Sequence, residues 1–207
     1  MKKKWLAIGT VLLIASILFT ILLTKVDVKA IGPNSSTVGF STINTRLTFN
    51  YNETVYKASK YLGYIALMIP CVYALIGLVQ LIKGKKLSSV DKRLYRLAIF
   101  YALVLATYVL FEKVIINYRP VILDEGLEAS YPSSHTLMSI FFTISAIIIN
   151  KSMFKDKFNI INTCLFILGV SIVVLRLVSG VHWFTDILGA ILIASTLLAY
   201  FKACIKE

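Results

Sequence analysis

Six long apolar segments constrain what this chain of 207 residues can fold into. They occupy residues 5–23, 61–82, 94–116, 134–149, 160–178 and 183–201. A hydrocarbon layer of about 30 Å needs about 20 apolar residues in helical form, so these segments predict six membrane-spanning helices. Globular domains are about 25% charged, whereas this chain is 15% charged and 58% hydrophobic. We therefore expect an all-α, polytopic membrane protein, with residues 1–207 forming a single domain and a compact helix bundle.

The first apolar segment could be a spanning helix or a signal peptide. Its downstream sequence, Val28-Lys29-Ala30, is similar to a small-residue cleavage site. The apolar run is longer than the 7–15 residues that are usual for a signal peptide, which favours a helix that is retained.

The distribution of Lys and Arg predicts the orientation in the membrane. With a cytoplasmic N-terminus, the segments 1–4, 83–96, 150–158 and 202–207 lie inside and hold 14 of the 22 basic residues. Cytoplasmic loops are enriched in Lys and Arg, so both termini are expected in the cytoplasm. The net charge of +12 then reflects topology and does not indicate a nucleic-acid partner.

Three polar clusters fall on the predicted extracytoplasmic side. Residues 113–120 read Lys-Val-Ile-Ile-Asn-Tyr-Arg-Pro, and residues 131–135 read Tyr-Pro-Ser-Ser-His. Residues 176–186 read Arg-Leu-Val-Ser-Gly-Val-His-Trp-Phe-Thr-Asp. Both histidines of the chain lie in these clusters. Because three separate segments bring polar residues to one face of the membrane, we expect them to form one site.

The residue types in the clusters fit a phosphate group. Arg119, Arg176 and Lys113 would form a cationic pocket, since guanidinium groups bind phosphate oxygens in a bidentate manner. The Pro-Ser-Ser sequence at 132–134 predicts the start of a helix, where free backbone N–H groups favour an anion. The clusters therefore predict a phosphate site at the membrane surface.

The two histidines are expected to do the chemistry. His182 and Asp186 are spaced i, i+4, so on a helix they would share one face. The carboxylate would keep one ring nitrogen of His182 protonated and leave the other as a nucleophile or base. His135 would act as a general acid near neutral pH. Two histidines and scattered carboxylates do not form a convincing metal site, so neither a metal nor a cofactor is expected.

Two further outer segments lie outside these clusters. Residues 47–64 carry five Phe and Tyr residues and could form a helix lying in the membrane interface. Asp124, Glu125 and Glu128 are expected to lie in a solvated loop rather than to act as catalytic acids, and they could still help to exclude or admit a charged headgroup.

The three clusters resemble the motifs of the type 2 phosphatidic acid phosphatases. This family is the membrane branch of a superfamily that also holds acid phosphatases and vanadium haloperoxidases. Its motifs are Lys-x6-Arg-Pro, Pro-Ser-Gly-His and Ser-Arg-x5-His-x3-Asp. The positions that match in this chain are Arg119, Pro120, Pro132, Ser133, His135, Arg176, His182 and Asp186.

The resemblance implies a role for each matched residue. His182 would attack phosphorus and form a phosphohistidine, and Asp186 would orient it and stabilise its imidazolium. His135 would protonate the leaving oxygen and then activate water. The side chains implied to hold the phosphoryl oxygens are Lys113, Arg119, Ser133 and Arg176.

Three departures from the family motifs stand out. Only five residues separate Lys113 from Arg119, so the motif position for lysine is occupied by Glu112. An offset of one residue rotates a helical side chain by about 100°, and Lys113 could instead be a snorkelling lysine at a helix end. Ser134 replaces the motif glycine and can still donate a hydrogen bond to phosphate. Leu175 replaces the motif serine.

The resemblance also implies a function, namely hydrolysis of a phosphomonoester or pyrophosphate on a lipid. The first candidate is undecaprenyl pyrophosphate, followed by phosphatidylglycerol phosphate and phosphatidic acid, in a bacterial inner membrane. The expected partners are the lipid phosphate and the bilayer, and no oligomeric state is indicated. One alternative is a non-catalytic protein of the same fold that binds or transports a lipid phosphate, and another is halide oxidation with bound vanadate.

Overall fold

The computed structural model describes residues 2–124 and 126–205. Over these residues the regular elements are helices, with only isolated β-bridges between loop residues. The α-helices are α1 (Lys2–Leu23), α2 (Ser41–Leu47), α3 (Glu53–Gly84), α4 (Lys92–Lys113), α5 (Ser134–Phe154), α6 (Asn159–Val178) and α7 (Phe184–Cys204). All of these except α2 are long and apolar enough to cross a membrane. The predicted fold class, an all-α membrane protein with six spanning helices, is confirmed.

Helix α5 lies at the centre of the bundle and packs against α3, α4, α6 and α7. Three aromatic rings fill the core between α4, α5 and α7: Phe100, Phe141 and Phe201 have ring centroids 5.4–6.3 Å apart, which is the usual spacing of aromatic pairs. Helix α1 packs along α7, where the hydroxyl groups of Ser16 and Thr196 lie 3.2 Å apart. Small and polar contacts of this kind hold helices together where lipid offers no hydrophobic driving force.

Successive spanning helices run in opposite directions through the bundle. The segments 24–52, 114–133 and 179–183 therefore lie at the same end, which we call the site end. The C-terminal ends of α1, α4 and α6 and the N-terminal ends of α3, α5 and α7 meet there. This arrangement brings the three polar clusters to one end of the molecule.

Helix α3 is longer than a membrane requires. Its 32 residues correspond to about 48 Å, compared with about 30 Å of hydrocarbon. The side chain of Asn52 caps its start by accepting a hydrogen bond from Val55 N at 3.1 Å. The prediction of a separate interfacial helix over residues 47–64 is wrong, because most of that segment is the first part of α3. The extension carries Tyr56 and Ser59 to the site end.

The loop between α1 and α3 packs against the turn before α7 and the start of that helix. The buried side chain of Asn44 donates to Thr185 Oγ1 at 2.9 Å and accepts from Thr185 N at 3.1 Å. Gly180 has a φ of +68°, and a Cβ at this position would lie 2.4 Å from the carbonyl oxygen of Phe49. Only glycine combines that left-handed conformation with such a close approach of two backbones. These contacts with the loop between α1 and α3 fix the position of the turn that carries His182.

The loop between α4 and α5 folds back on itself. Ser130 N donates to the carbonyl oxygen of Asn117 at 2.8 Å, and Arg119 N donates to the carbonyl oxygen of Glu128 at 3.1 Å. This short antiparallel pairing places the side chains of Asn117 and Ser130 beside each other, next to the start of α7.

Candidate active site

The structure brings the three polar clusters together at the site end. Ser133 immediately precedes α5, and Ser134 and His135 are the first two residues of that helix. Arg176 lies in the last turn of α6, and Arg119 lies in the loop between α4 and α5. His182 stands in the turn before α7, and Asp186 lies in the first turn of that helix. Helix ends and the loops next to them thus bring the predicted site residues other than Lys113 together.

His182 and Asp186 do not share a helix face, contrary to the prediction from their spacing. Helix α7 begins at Phe184, so His182 precedes it and its ring can turn away from the helix axis. His182 Nδ1 lies 3.9 Å from Asp186 Oδ2. Between them is the hydroxyl of Ser130, which lies 2.9 Å from His182 Nδ1 and donates to Asp186 Oδ2 at 2.5 Å.

Two further donors hold the carboxylate of Asp186. Asn117 Nδ2 donates to Oδ1 at 3.2 Å, and Trp183 N donates to Oδ2 at 2.9 Å. Together with Ser130, the carboxylate accepts three hydrogen bonds, and bonds of this kind favour its ionised form. These three hydrogen bonds fix the position of the Asp186 carboxylate behind His182.

Burial governs the protonation of His182, whose side chain is 2% exposed. Burial lowers its pKa well below the usual value of about 6.5, and the positive charges of Arg176 and Arg119 lower it further. The imidazole is therefore neutral at physiological pH. One of its ring nitrogens then carries a lone pair that is available to attack an electrophile.

Arg176 and His135 form a second pair. Arg176 Nη2 donates to His135 Nδ1 at 2.9 Å, and because a guanidinium group cannot accept a hydrogen bond, Nδ1 is the acceptor. The proton of the neutral His135 ring is therefore on Nε2. Arg176 is fully buried, donates from Nη1 to Ser59 Oγ at 3.3 Å and lies 5.1 Å from the ring centroid of Tyr56.

Several buried polar atoms at the site make no hydrogen bond to any residue that the structure describes. They are Arg119 Nε, Ser133 Oγ, His135 Nε2, Arg176 Nε and His182 Nε2. A buried donor without an acceptor costs about 1–3 kcal/mol. Four of these atoms can donate, and the tetrahedral oxygens of a phosphoryl group are suitable acceptors for them.

A small polar cleft opens onto His182. The residues that line it are Tyr108, Phe111, Glu112, Arg119, Ala129, Ser130, Tyr131, Pro132, Ser134, Leu137 and His182. Lys113 is not among them; it is the last residue of α4 and its side chain is exposed. Glu112, at the motif position for lysine, does line the cleft.

The loop carboxylates differ from the prediction in one respect. Glu128 Oε2 lies 2.7 Å from Arg119 Nη1, and its side chain is partly buried rather than solvated. This ion pair holds Arg119 at the edge of the cleft. Asp124 is exposed, as expected, and Glu125 lies outside the described residues.

Four residues at the site were missed by sequence reasoning. Asn117 lies inside the first polar cluster, and Ser130 lies one residue before the second, so both are in segments that were recognised. Tyr56 and Ser59 belong to α3, which carries no motif, and only the packing of α3 against α6 brings them to Arg176.

The comparisons with known proteins agree with this geometry. The model of the PAP2 superfamily matches residues 4–207. Among solved structures, the chain is similar to "the first transmembrane PAP2 type phosphatidylglycerolphosphate phosphatase from Bacillus subtilis". The two chains share 14% identity and superpose with a TM-score of 0.62, over 95% of this chain and 94% of the other. At this identity the likeness establishes a shared fold.

No curated protein matches the sequence. The family model nevertheless covers almost the whole chain, including all three polar clusters. This protein therefore belongs to the PAP2 superfamily, as a polytopic membrane phosphatase.

Proposed function

We propose that this phosphatase releases phosphate from a lipid phosphomonoester or pyrophosphate, without a metal, through a phosphohistidine on His182. The observation that carries the proposal is the set of buried polar atoms at the site end that have no hydrogen-bond partner among the described residues, with His182 Nε2 among them. Arg119, Ser133 and Arg176 contribute donors to this set, and Arg119 lines the same cleft as His182. Such an arrangement suits a phosphoryl group held by cations and attacked by a neutral imidazole.

In the first half of the reaction, the lone pair on His182 Nε2 attacks phosphorus. A P–N bond forms, and the bond from phosphorus to the lipid oxygen breaks. His135 Nε2 gives its proton to the leaving oxygen. In the second half, His135 takes a proton from water, the hydroxide attacks phosphorus, and the P–N bond breaks to release phosphate and neutral His182.

Arg176 links phosphate binding to the protonation of His135, the proposed general acid. His135 is an effective acid only when both ring nitrogens are protonated, yet Arg176 Nη2 donates to Nδ1. A phosphoryl oxygen is a stronger acceptor for the guanidinium than this imidazole nitrogen. Binding of the phosphoryl group therefore draws Arg176 away and lets Nδ1 take up the proton that general-acid catalysis requires.

The lipid class follows from analogy within the superfamily rather than from a contact. Undecaprenyl pyrophosphate is our first candidate, with phosphatidylglycerol phosphate and phosphatidic acid as the others. The bias of Lys and Arg to the opposite end of the bundle supports a bacterial inner-membrane protein with cytoplasmic termini and an extracytoplasmic site.

Phosphate release by the purified protein in detergent tests the chemistry. The three lipids are supplied separately with a chelator present, and release is expected to persist and to be inhibited by vanadate. A ³²P-labelled substrate should leave label on His182, and His182→Ala should abolish both label and turnover. Ser145→Ala is a matched control, because this buried hydroxyl bonds the carbonyl oxygen of Phe142, far along α5. Undiminished turnover in His182→Ala would refute the mechanism.

The same assay separates the enzyme from a binding or transport protein. Such a protein would bind these lipids tightly and release phosphate only at the background rate. Background release from all three lipids, together with retained binding, would replace our proposal with that alternative.

Labelling of whole cells with an impermeant maleimide tests the orientation. In a background without Cys71, Cys164 and Cys204, the exposed positions Arg46→Cys and Ser88→Cys report opposite ends of the bundle. Arg46→Cys should react from outside, and Ser88→Cys should react only after the cells are opened. The reverse pattern would place the site in the cytoplasm.

A further inference from the structure

We infer that Ser130 is a positioning residue, whose hydroxyl connects Asp186 to His182 and sets which nitrogen of His182 attacks. The inference rests on the proposed phosphohistidine chemistry and deepens it. The spacing in the sequence suggests a direct carboxylate–imidazole pair, whereas in the structure a third side chain lies between the two groups.

The distances exclude a direct hydrogen bond between the two residues. His182 Nδ1 and Asp186 Oδ2 are 3.9 Å apart, beyond the limit of about 3.2 Å for an N–H···O bond. Ser130 Oγ lies within hydrogen-bond distance of both atoms, at 2.9 Å and 2.5 Å. Among the residues that the structure describes, the hydroxyl of Ser130 is the group that contacts both the carboxylate and the ring.

Ser130 is held rigidly in this position. Its side chain is 2% exposed, and its backbone N–H donates to Asn117 at 2.8 Å. The side chain of Asn117 in turn donates to the other carboxylate oxygen of Asp186. The loop before α5 thus contributes two donors to Asp186, and one of them also reaches the nucleophile.

The single proton of the hydroxyl determines the tautomer of His182. The carboxylate of Asp186 only accepts, so the O–H of Ser130 donates its hydrogen bond to Oδ2. The oxygen of Ser130 must then accept from His182, which requires a proton on Nδ1. The neutral ring consequently has its lone pair on Nε2, which is buried and makes no hydrogen bond to any described residue, and His182 lines the cleft.

The same chain of hydrogen bonds acts during the reaction. When Nε2 bonds to phosphorus, the ring becomes positively charged and its Nδ1–H becomes a stronger donor. The hydroxyl of Ser130 transmits this change to the carboxylate without giving up its own proton, because polarised hydrogen bonds reinforce one another. No net proton transfer to Asp186 is needed.

A double-mutant cycle in phosphate release tests this path. Ser130→Ala should lower kcat by about 10–100-fold, the usual cost of losing a group that orients a functional histidine. Asp186→Asn should cost much more in the natural background than in Ser130→Ala, because the path is already broken there. Ser130→Thr retains the hydroxyl and should recover most of the activity. Equal costs of Asp186→Asn in both backgrounds would overturn the inference.

Nitrogen NMR gives a readout that does not depend on activity. The chain has only two histidines, so protein labelled with ¹⁵N-histidine in detergent yields two imidazole spectra, and His135→Gln assigns them. His182 should carry its proton on Nδ1 in the natural protein and in Ser145→Ala, and shift toward Nε2 in Ser130→Ala. An unchanged tautomer in Ser130→Ala refutes the role of Ser130. A changed tautomer in a protein that releases no phosphate would instead refute the proposed function.

Discussion

Replacing Gly63 by alanine should displace His135 and slow the reaction. Gly63 lies on α3, and a Cβ at this position would be 2.6 Å from His135 Cδ2. Carbon atoms in contact are normally about 3.5 Å apart, so the ring or the helix must move by about 1 Å. A catalytic group misplaced by about 1 Å can cost about 100-fold in rate. We therefore expect Gly63→Ala to lower kcat by about 100-fold.

A second glycine of the same helix provides the control. A Cβ at Gly77 would meet Leu94 at 3.7 Å, which is an ordinary contact. Both substitutions gain about 1 kcal/mol of helix propensity, so they differ in the contact with His135. The assay is steady-state phosphate release in detergent, with the melting temperature of each variant measured beside it. If the kcat of Gly63→Ala stays within twofold of the kcat of Gly77→Ala, the reasoning from this contact is wrong.

Three further predictions concern the cationic residues Arg119 and Lys113, the nucleophile His182 and the turn that carries His182. Arg119→Ala should lower kcat/KM by about 10–100-fold, because a charge-assisted hydrogen bond contributes about 1.5–3 kcal/mol, whereas the exposed Lys113→Ala should change it less than twofold. The ¹⁵N spectrum of His182 should not change between pH 8 and pH 5.5, since its lowered pKa keeps the ring neutral on both sides of its usual value; a titration centred near 6.5 would contradict this. Gly180→Ala should lower the melting temperature more than Gly126→Ala, since both have positive φ but only Gly180 lacks room for a Cβ.

The periodic features of the chain were accessible from its sequence. Apolar runs report spanning helices because the membrane requires a minimum length, and the structure has a helix for each predicted run. The motif residues His135, Arg176 and Asp186 meet because alternating helix directions force their helix ends to the same side. Contacts of this kind depend on topology alone.

Contacts that depend on loop geometry were not accessible. The path through Ser130 exists because α7 starts two residues after His182, and the i, i+4 spacing suggested a helical pair instead. The place of Glu112 in the cleft follows from the rotation of α4 about its axis, which the sequence pattern left open. Tyr56 reaches Arg176 only because α3 extends beyond the length that a membrane needs.

The buried guanidinium of Arg176 should affect the release of the product. It has no carboxylate within ion-pair distance in the part of the chain that the structure describes; its contacts are Ser59, His135 and the ring of Tyr56. A buried charge without a counterion is unfavourable, so inorganic phosphate, the product, should be a stabilising ligand that raises the melting temperature. The buried positive charge that favours substrate binding should therefore also slow the release of phosphate. The turnover rate should fall as free phosphate accumulates.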